Sequence, residues 1–312
     1  MSRKMILAVL LTVVLPIGMA FGQGVAGTFT PIDFPAPGSN STFVNGINAR
    51  GDLVGTYNDA NGLQHGFARI DGQFKTIDYP GTADHLTWVT TLWAINNSGE
   101  IAGTVQFDPA KPGADYHGFV LRGDDFESVQ FPGHLNTITA GINDDGEVVG
   151  CYHDYNFSTT MHGFLFSDGN FSALDGNSPP LPDKPNSMNN GATRGGGSVV
   201  GLWTDTAGVT HGYYLEPHDG DFKPFDYPDS IHTEAWGINA SREVVGFYAD
   251  QSSNFHGFVL HRGHFHSIDF PGAMATFATA INSQGSLAGG YLDAAGNQHG
   301  FVFTRSPRLD QS

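Results

Sequence analysis

The stretch HGFVLHRGHFHSIDFPGA, residues 256 to 273, places His256, His261, His264, His266 and Asp269 within fourteen positions. Imidazole beside carboxylate is the make-up of a general base with its orienting acid. With three or four converging ligands it is also the make-up of a divalent-metal site. Both chemistries need the side chains to meet at one point, so the elements that carry them decide the matter.

His256 and Asp269 have counterparts along the whole chain. The triplet recurs as His65-Gly66-Phe67, His117-Gly118-Phe119, His162-Gly163-Phe164, His211-Gly212-Tyr213, His256-Gly257-Phe258 and His299-Gly300-Phe301, at intervals of 52, 45, 49, 45 and 43 residues. Three further words alternate with it: F-x-x-I-D-F-P (Phe29 to Pro35, Phe74 to Pro80, Phe222 to Pro228, Phe265 to Pro271), G-I-N-x-x-G (Gly46 to Gly51, Gly141 to Gly146) and V-V-G-x-Y (Val148 to Tyr152, Val244 to Tyr248). Each is a β-branched or aromatic run of strand length. In order they are strand A (ending in GIN), B (VVGxY), C (HGF) and D (FxxIDF).

The connections carry turn chemistry. Asn-x-x-Gly joins A to B, Asp-x-x-Gly joins B to C (Asp59 to Gly62, Asp293 to Gly296), and tight turns such as Ile70-Asp71-Gly72-Gln73 join C to D. A four-stranded antiparallel meander repeating at this length is a propeller blade. The first D word precedes any C, and the last C is followed only by a polar tail. The leading strand is therefore expected to complete the last unit. The expectation is an all-β, six-bladed β-propeller of four-stranded antiparallel blades, its ring closed by the N-terminal strand; a linear solenoid is the alternative.

The words resemble the bacterial extracellular HAF repeats, named for a His-Ala-Phe triplet and often accompanied by GIN-x-x-G-x-V-V-G. Glycine replaces the alanine in every copy here, over residues 29 to 303. The resemblance implies secretion and a repeat scaffold, and carries no activity or active site with it.

Composition agrees. Ser2-Arg3-Lys4, the apolar run Met5 to Ile17 and the small-x-small sites Gly18-Met19-Ala20 and Ala20-Phe21-Gly22 predict a cleaved export signal over 1–22. A single domain over 23–305 and a tail over 306–312 follow, with localisation in the periplasm or outside the cell and no stable membrane insertion after cleavage. Cys151 is the one cysteine, which excludes an internal disulfide and a CxxC zinc site. The formal charge is −17, and loss of Arg3 and Lys4 takes it to −19, which disfavours nucleic acid as a partner.

A position repeated around a ring cannot converge on one centre. The HGF histidines, the ID aspartates (Gln130 being the exception), the GIN asparagines and the D-x-x-G aspartates are therefore read as scaffold, with glycine leaving room for the imidazole. His261, His264 and His266 occur in one repeat only and are read as solvated turn residues rather than metal ligands. No metal or cofactor is implied.

Function is expected where the repeats disagree. The enlarged D–A and B–C loops (80–89, 106–116, 153–161 and 175–188) belong to blades two to four and would stand on one face. They and their neighbours supply the binding candidates His85, Trp88, Trp93, Asp108, Tyr116, His134, His153, Asp154, Tyr155, His232, Glu234 and Trp236. The fourth repeat is degenerate, Ala192-Thr193-Arg194 standing for GIN. Aromatic platforms with acids and amides suit a binding module for a glycan or an extracellular protein. Histidine with carboxylate suits an extracellular hydrolase or lyase on the same face. No G-x-S-x-G, H-E-x-x-H or phosphate-cradling motif is present, so the catalytic residues are unassigned and binding is the preferred expectation.

Overall fold

The computed structural model describes residues 25–39, 41–81, 87–107, 115–154, 160–174, 187–193, 197–216 and 220–306. The expected export signal and C-terminal tail lie outside these, apart from Ser306.

The chain opens with β1 (Gly27–Ile32). Four-strand units then follow in succession: β2 (Ser41–Ile47), β3 (Leu53–Asn58), β4 (Gln64–Ile70) and β5 (Gln73–Thr76) form the first. The second comprises β6 (Thr87–Ile95), β7 (Ile101–Phe107), β8 (Tyr116–Arg122) and β9 (Asp125–Val129). The third holds β10 (Asn136–Ile142), β11 (Val148–His153), β12 (Met161–Ser167) and β13 (Asn170–Ala173). In the fourth are β14 (Ser187–Ala192), β15 (Val199–Thr204), β16 (Thr210–Glu216) and β17 (Asp221–Phe225). The fifth runs through β18 (His232–Ile238), β19 (Val244–Ala249), β20 (Phe255–His261) and β21 (His264–Ile268). Last come β22 (Ala275–Ile281), β23 (Leu287–Leu292) and β24 (Gln298–Arg305).

The architecture is all-β and propeller-like, built of four-stranded antiparallel sheets. Units two to five each form a separate sheet. The expected separate first and last sheets are instead joined as one eight-stranded sheet, because Ser41 of β2 pairs in parallel with Gln298 of β24. A bond from Ser41 Oγ to Gln298 Oε1, 2.8 Å, reinforces that bridge. The leading strand β1 lies antiparallel on β24, with Thr30 opposite Val302 and Ile32 opposite Gly300.

The strands of position A touch one another in the succession β2, β6, β10, β14, β18, β22, and β22 returns to β2. They are innermost, and the outer strands fan away from them. Apolar cores lie between consecutive sheets. Val54 and Ala68 of the first unit pack with Leu92, Ile101 and Phe119 of the second, and Ile32, Val44 and Phe67 pack with Ala288 of the last. The aromatic of every HGF or HGY triplet is fully buried.

The repeated words now have physical meanings. In V-V-G-x-Y the glycine faces the carbonyl of its A-strand partner, and a Cβ at Gly150 or Gly246 would overlap the oxygen of Ile138 or Glu234. The HGF glycine lies against a carbonyl of its own unit's D word, Ile77 O at Gly66 and Ile32 O at Gly300, and against the next unit. A Cβ there would strike the next unit, Leu92 in the case of Gly66 and Val44 in the case of Gly300.

The aspartate of the D word holds the histidine of its own unit. His65, His211, His256 and His299 present Nδ1 to Asp78, Asp226, Asp269 and Asp33 at 2.8–2.9 Å. The aromatic that follows that position stacks on the B-strand tyrosine of the next unit, even where Gln130 replaces the aspartate. Phe34 on Tyr57, Phe131 on Tyr152, Tyr227 on Tyr248 and Phe270 on Tyr291 have centroids 3.6–3.8 Å apart. One dipeptide thus ties a unit to itself and to its neighbour. Where Gln130 replaces the aspartate, its amide instead donates to the carbonyls of His134 and Leu135.

The GIN asparagines form a belt at the end of the molecule where the A–B and C–D turns lie. Asn48 donates to the carbonyl of Asn96 (3.2 Å), Asn96 to Asn143 (3.0 Å), Asn143 to Thr193 (2.9 Å), Asn239 to Asn282 (3.2 Å) and Asn282 to Asn48 (3.0 Å). The single interruption is Thr193, which occupies the asparagine position. The degenerate word is therefore Gly191-Ala192-Thr193, one residue earlier than expected. These residues rim a depression of about 140 Å³ with a floor of isoleucines.

Candidate functional site

The histidine-rich stretch of residues 256–266 separates into unlike parts. His256 sits between Asp269 on Nδ1 (2.9 Å) and Asp250 on Nε2 (3.5 Å), backed by Tyr248. The same Asp–His–Asp arrangement holds His211 and His299. Hydrogen bonds from Asn254 and Asn297 hold the Asp250 and Asp293 carboxyls down at about 2. His261 and His264 flank the C–D turn, where Arg262 and Gly263 both have positive φ. Among the described residues no group of three or more His, Cys, Asp or Glu side chains is arranged to hold a metal ion.

Of the expected binding residues, His85, Asp108 and Tyr155 lie outside the described residues. So does most of the expected raised sector formed by the enlarged loops. Trp88 is in β6, between the pairs Thr87–Phe107 and Val89–Gln106 where the register shifts. The remaining eight fall into two groups and one isolated residue.

The first group belongs to the third unit. His134 Nδ1 lies 3.1 Å from the carbonyl oxygen of His153, and its ring packs on Tyr152. His153 ends β11 and is 4% exposed. The Asp154 carboxylate accepts from Thr160 (2.8 Å) and meets His162 Nε2 at 3.3 Å. Burial pulls its pKa upward, but the bonds from Thr160 and His162 win and hold it below the usual carboxylate range. Asp154 therefore does in its unit what Asp205, Asp250 and Asp293 do in theirs, and serves the frame. Tyr116 stands apart: its N–H donates to Asn136 Oδ1 (3.1 Å), and its ring packs against the Ile138–Cys151–Met188 core.

The second group comes together from distant parts of the chain. Glu234 of β18 accepts from Trp236 Nε1–H on one oxygen (2.7 Å), and its other oxygen lies 2.8 Å from His232 Nε2. The Glu234 side chain is 16% exposed and that of His232 28%. Alternation along the strand places 232 and 234 on one face, and Trp236, the extra residue where the register shifts between Ala235 and Gly237, brings its indole to the same carboxylate. Strands β6 and β18 are three places apart in the succession of innermost strands, yet the indoles of Trp93 and Trp236 are 5.8 Å apart. Trp93 is fixed from behind by Nε1–H donation to Thr104 Oγ1 (3.2 Å).

Sequence reasoning missed the aromatic wall that completes this group. Phe247 lies over Trp236 (6.2 Å) and His232 (6.3 Å), and Phe277 and Phe255 lie 5.1 and 5.9 Å from Phe247. Phe43 continues the row at 6.2 Å from Phe277. All are half-buried. Phe247 is the variable letter of V-V-G-x-Y and Phe255 the residue before HGF, positions that vary between units and are aromatic together only in the fifth, and that variability was the available signal.

The arrangement offers flat apolar faces beside one carboxylate with fixed orientation. It can stack on a ring and accept a hydrogen bond from it. Both Glu234 oxygens already have partners, so it is better placed to orient a ligand than to exchange protons with one.

The fold places the chain among all-β propeller-like proteins. No family model and no curated protein matches it. Among solved structures, it is similar to a protein of unknown function from Dyadobacter fermentans (TM-score 0.56, 11% identity, covering 91% of this chain and 100% of that one). An Aleuria aurantia lectin mutant in complex with Fucalpha1-6GlcNAc is similar at TM-score 0.50 and 10% identity, covering 86% and 95%. Trypanosoma rangeli sialidase is similar at TM-score 0.52 and 7% identity, covering 91% and 60%. Identities this low carry the fold alone, and a lectin and a sialidase share it, so function rests on the site.

Proposed function

We propose that the protein is an exported six-bladed β-propeller of the HAF-repeat type that binds a glycan without turning it over. The cyclic succession of innermost strands and the pairing of β1 with β24 support six blades, with the ring closed between the last and the first. Residues 23–305 form the propeller, and the export signal delivers it to the periplasm or beyond.

The observation that carries the binding reading is the Trp93–Trp236 pair beside Glu234. Two indole faces with an adjacent oriented carboxylate suit the apolar face and the hydroxyls of a sugar ring. The lectin neighbour supports the reading to the extent that its fold presents a saccharide.

A glycan array followed by calorimetry on the mature protein tests this. Saturable binding that Trp236→Leu weakens, with the thermal unfolding midpoint little changed, is the expected result. Absence of binding across the array would overturn it. The 2.8 Å His232–Glu234 contact favours a second reading, general acid–base hydrolysis. Turnover of chromogenic glycosides or esters that is lost in Glu234→Gln would establish that reading instead.

A further inference from the structure

We infer that the sugar bound at the Glu234 site carries a free amino group. This rests on the glycan reading above and adds the charge of the ligand. Two ends of the molecule can be told apart, one with the D–A and B–C loops and the other with the A–B and C–D turns. Every described arginine lies toward the turn end: Arg50 and Arg242 in A–B turns, Arg262 in a C–D turn, and Arg69, Arg122 and Arg305 at the ends of C strands. The described lysines, Lys75 and Lys223, lie within D strands, and Lys111 and Lys184, in the expected loops 106–116 and 175–188, lie outside the described residues. The loop end instead carries the aspartates of the Asp–His–Asp groups, among them Asp33, Asp250, Asp269 and Asp293.

Glu234 stands inside that field as the carboxylate of the aromatic wall. Its partners are an indole N–H and an imidazole, and no lysine or arginine neutralises it among the described residues. An ammonium group there meets a carboxylate and the faces of Trp236 and Phe247 together, the pairing that cation–π attraction and charge both favour. A carboxylated or sulfated sugar would be repelled by the same groups.

The test compares short oligomers of glucosamine, of N-acetylglucosamine and of galacturonate by calorimetry at low salt, on the mature protein and on its Glu234→Gln variant. The glucosamine oligomer is expected to bind about tenfold tighter than the acetylated one, the size of one partly desolvated cation–π and charge contact. Glu234→Gln should reduce that preference to within about threefold. Attraction of any polycation to the acidic surface would survive the substitution, since it removes one charge from 31 acidic residues. Equal or tighter binding of the acetylated or acidic oligomer, or a preference unchanged by Glu234→Gln, would overturn the inference and leave the glycan reading standing. Binding of none of these oligomers, with or without other glycans bound, also overturns it; the wider array then decides the glycan reading by itself.

Discussion

Replacement of Asn96 by alanine measures how much the inter-blade belt contributes. The Asn96 amide donates to the carbonyl of Asn143 in the next unit and to Glu100 Oε2 (2.7 Å), while its oxygen accepts from the N–H groups of Ser98 (3.0 Å) and Glu100 (2.9 Å). Asn96 is 3% exposed, so water cannot take over these roles freely. Four bonds at a net ~1 kcal/mol each, less the carbonyl and carboxylate that keep other partners, give a cost of about 3 kcal/mol. The control is Asp205→Ala. Asp205 closes a turn of the same form by accepting from Ala207 and Val209, both at 2.8 Å, but on the surface. The N–H groups it accepts from can turn to water, and its contact with His211 is partly exposed, so a distinctly smaller loss is expected. In a domain of this size each kcal/mol moves the midpoint by roughly 2 °C, so the shift should be about 6 °C for Asn96→Ala and distinctly smaller for Asp205→Ala. Differential scanning calorimetry of both variants at neutral pH reads this directly. Equal shifts would show that the asparagines only form turns and that the bonds between units add nothing.

Other consequences are open to simpler assays. Phe29 on β1 packs against Phe270, Phe301 and Phe303, so Phe29→Ala should cost roughly 3 kcal/mol in urea unfolding, near the lower end for buried phenylalanine; a cost under about 1 kcal/mol would mean the leading strand is not needed. Asp250 and Asp293 have carboxyls lowered from 3.8 to about 2, mainly by Asn254 and Asn297, so the stability they supply is complete above pH 4 and disappears as pH falls toward 2. The midpoint of the double variant Asp250→Asn, Asp293→Asn should therefore fall less steeply over that window. His299 has the opposite sign: burial pulls it down, but Asp33 and Asp293 raise it above 6.5, and its contribution is full below that value and lost at higher pH; His299→Gln should lower the midpoint at pH 6 more than at pH 9. Burial pushes the Cys151 thiol up to about 12, so a thiol reagent at pH 8 should label the protein only after denaturant is added.

The scaffold was legible in the sequence because each of its rules is local and repeated. The Asp-aromatic dipeptide of the D word needs only the HGF histidine of its own unit and the tyrosine of the next. Such a rule shows as periodicity. The joining of the end units through Ser41 and Gln298 was not legible, since one parallel pair leaves no mark on the repeat. The candidate site was half legible. His232, Glu234 and Trp236 announce themselves by departing from the A-strand pattern, but nothing local says that Trp93 will face Trp236 from the opposite strand. His134, His153 and Asp154 stand out in the sequence because they lie outside the repeated words, while the contacts of His134 and Asp154 follow the third unit's own frame.

The fourth unit shows why departures from the pattern cannot all be read as function. Its triplet ends in Tyr213 rather than phenylalanine, and the added hydroxyl donates to the Met188 carbonyl (3.2 Å) and to Asn189 Oδ1. Asn189 occupies an A-strand position that holds Val44 in the first unit and Ala235 in the fifth, where the triplet keeps its phenylalanine. The two polar changes therefore cancel each other inside the core. The belt bond missing at Thr193 leaves that seam with its inner bond, from the Asn190 amide to the Ala235 carbonyl at 2.9 Å, the same bond that Asn45 makes to Leu92 between the first two units. Glu234 has no such structural creditor. Its carboxylate is held by a histidine and a tryptophan that are themselves exceptions to the repeat. A polar residue that satisfies the frame repairs a local fault, whereas three exceptions that satisfy one another on a half-open aromatic wall are the ground on which the proposed recognition role stands.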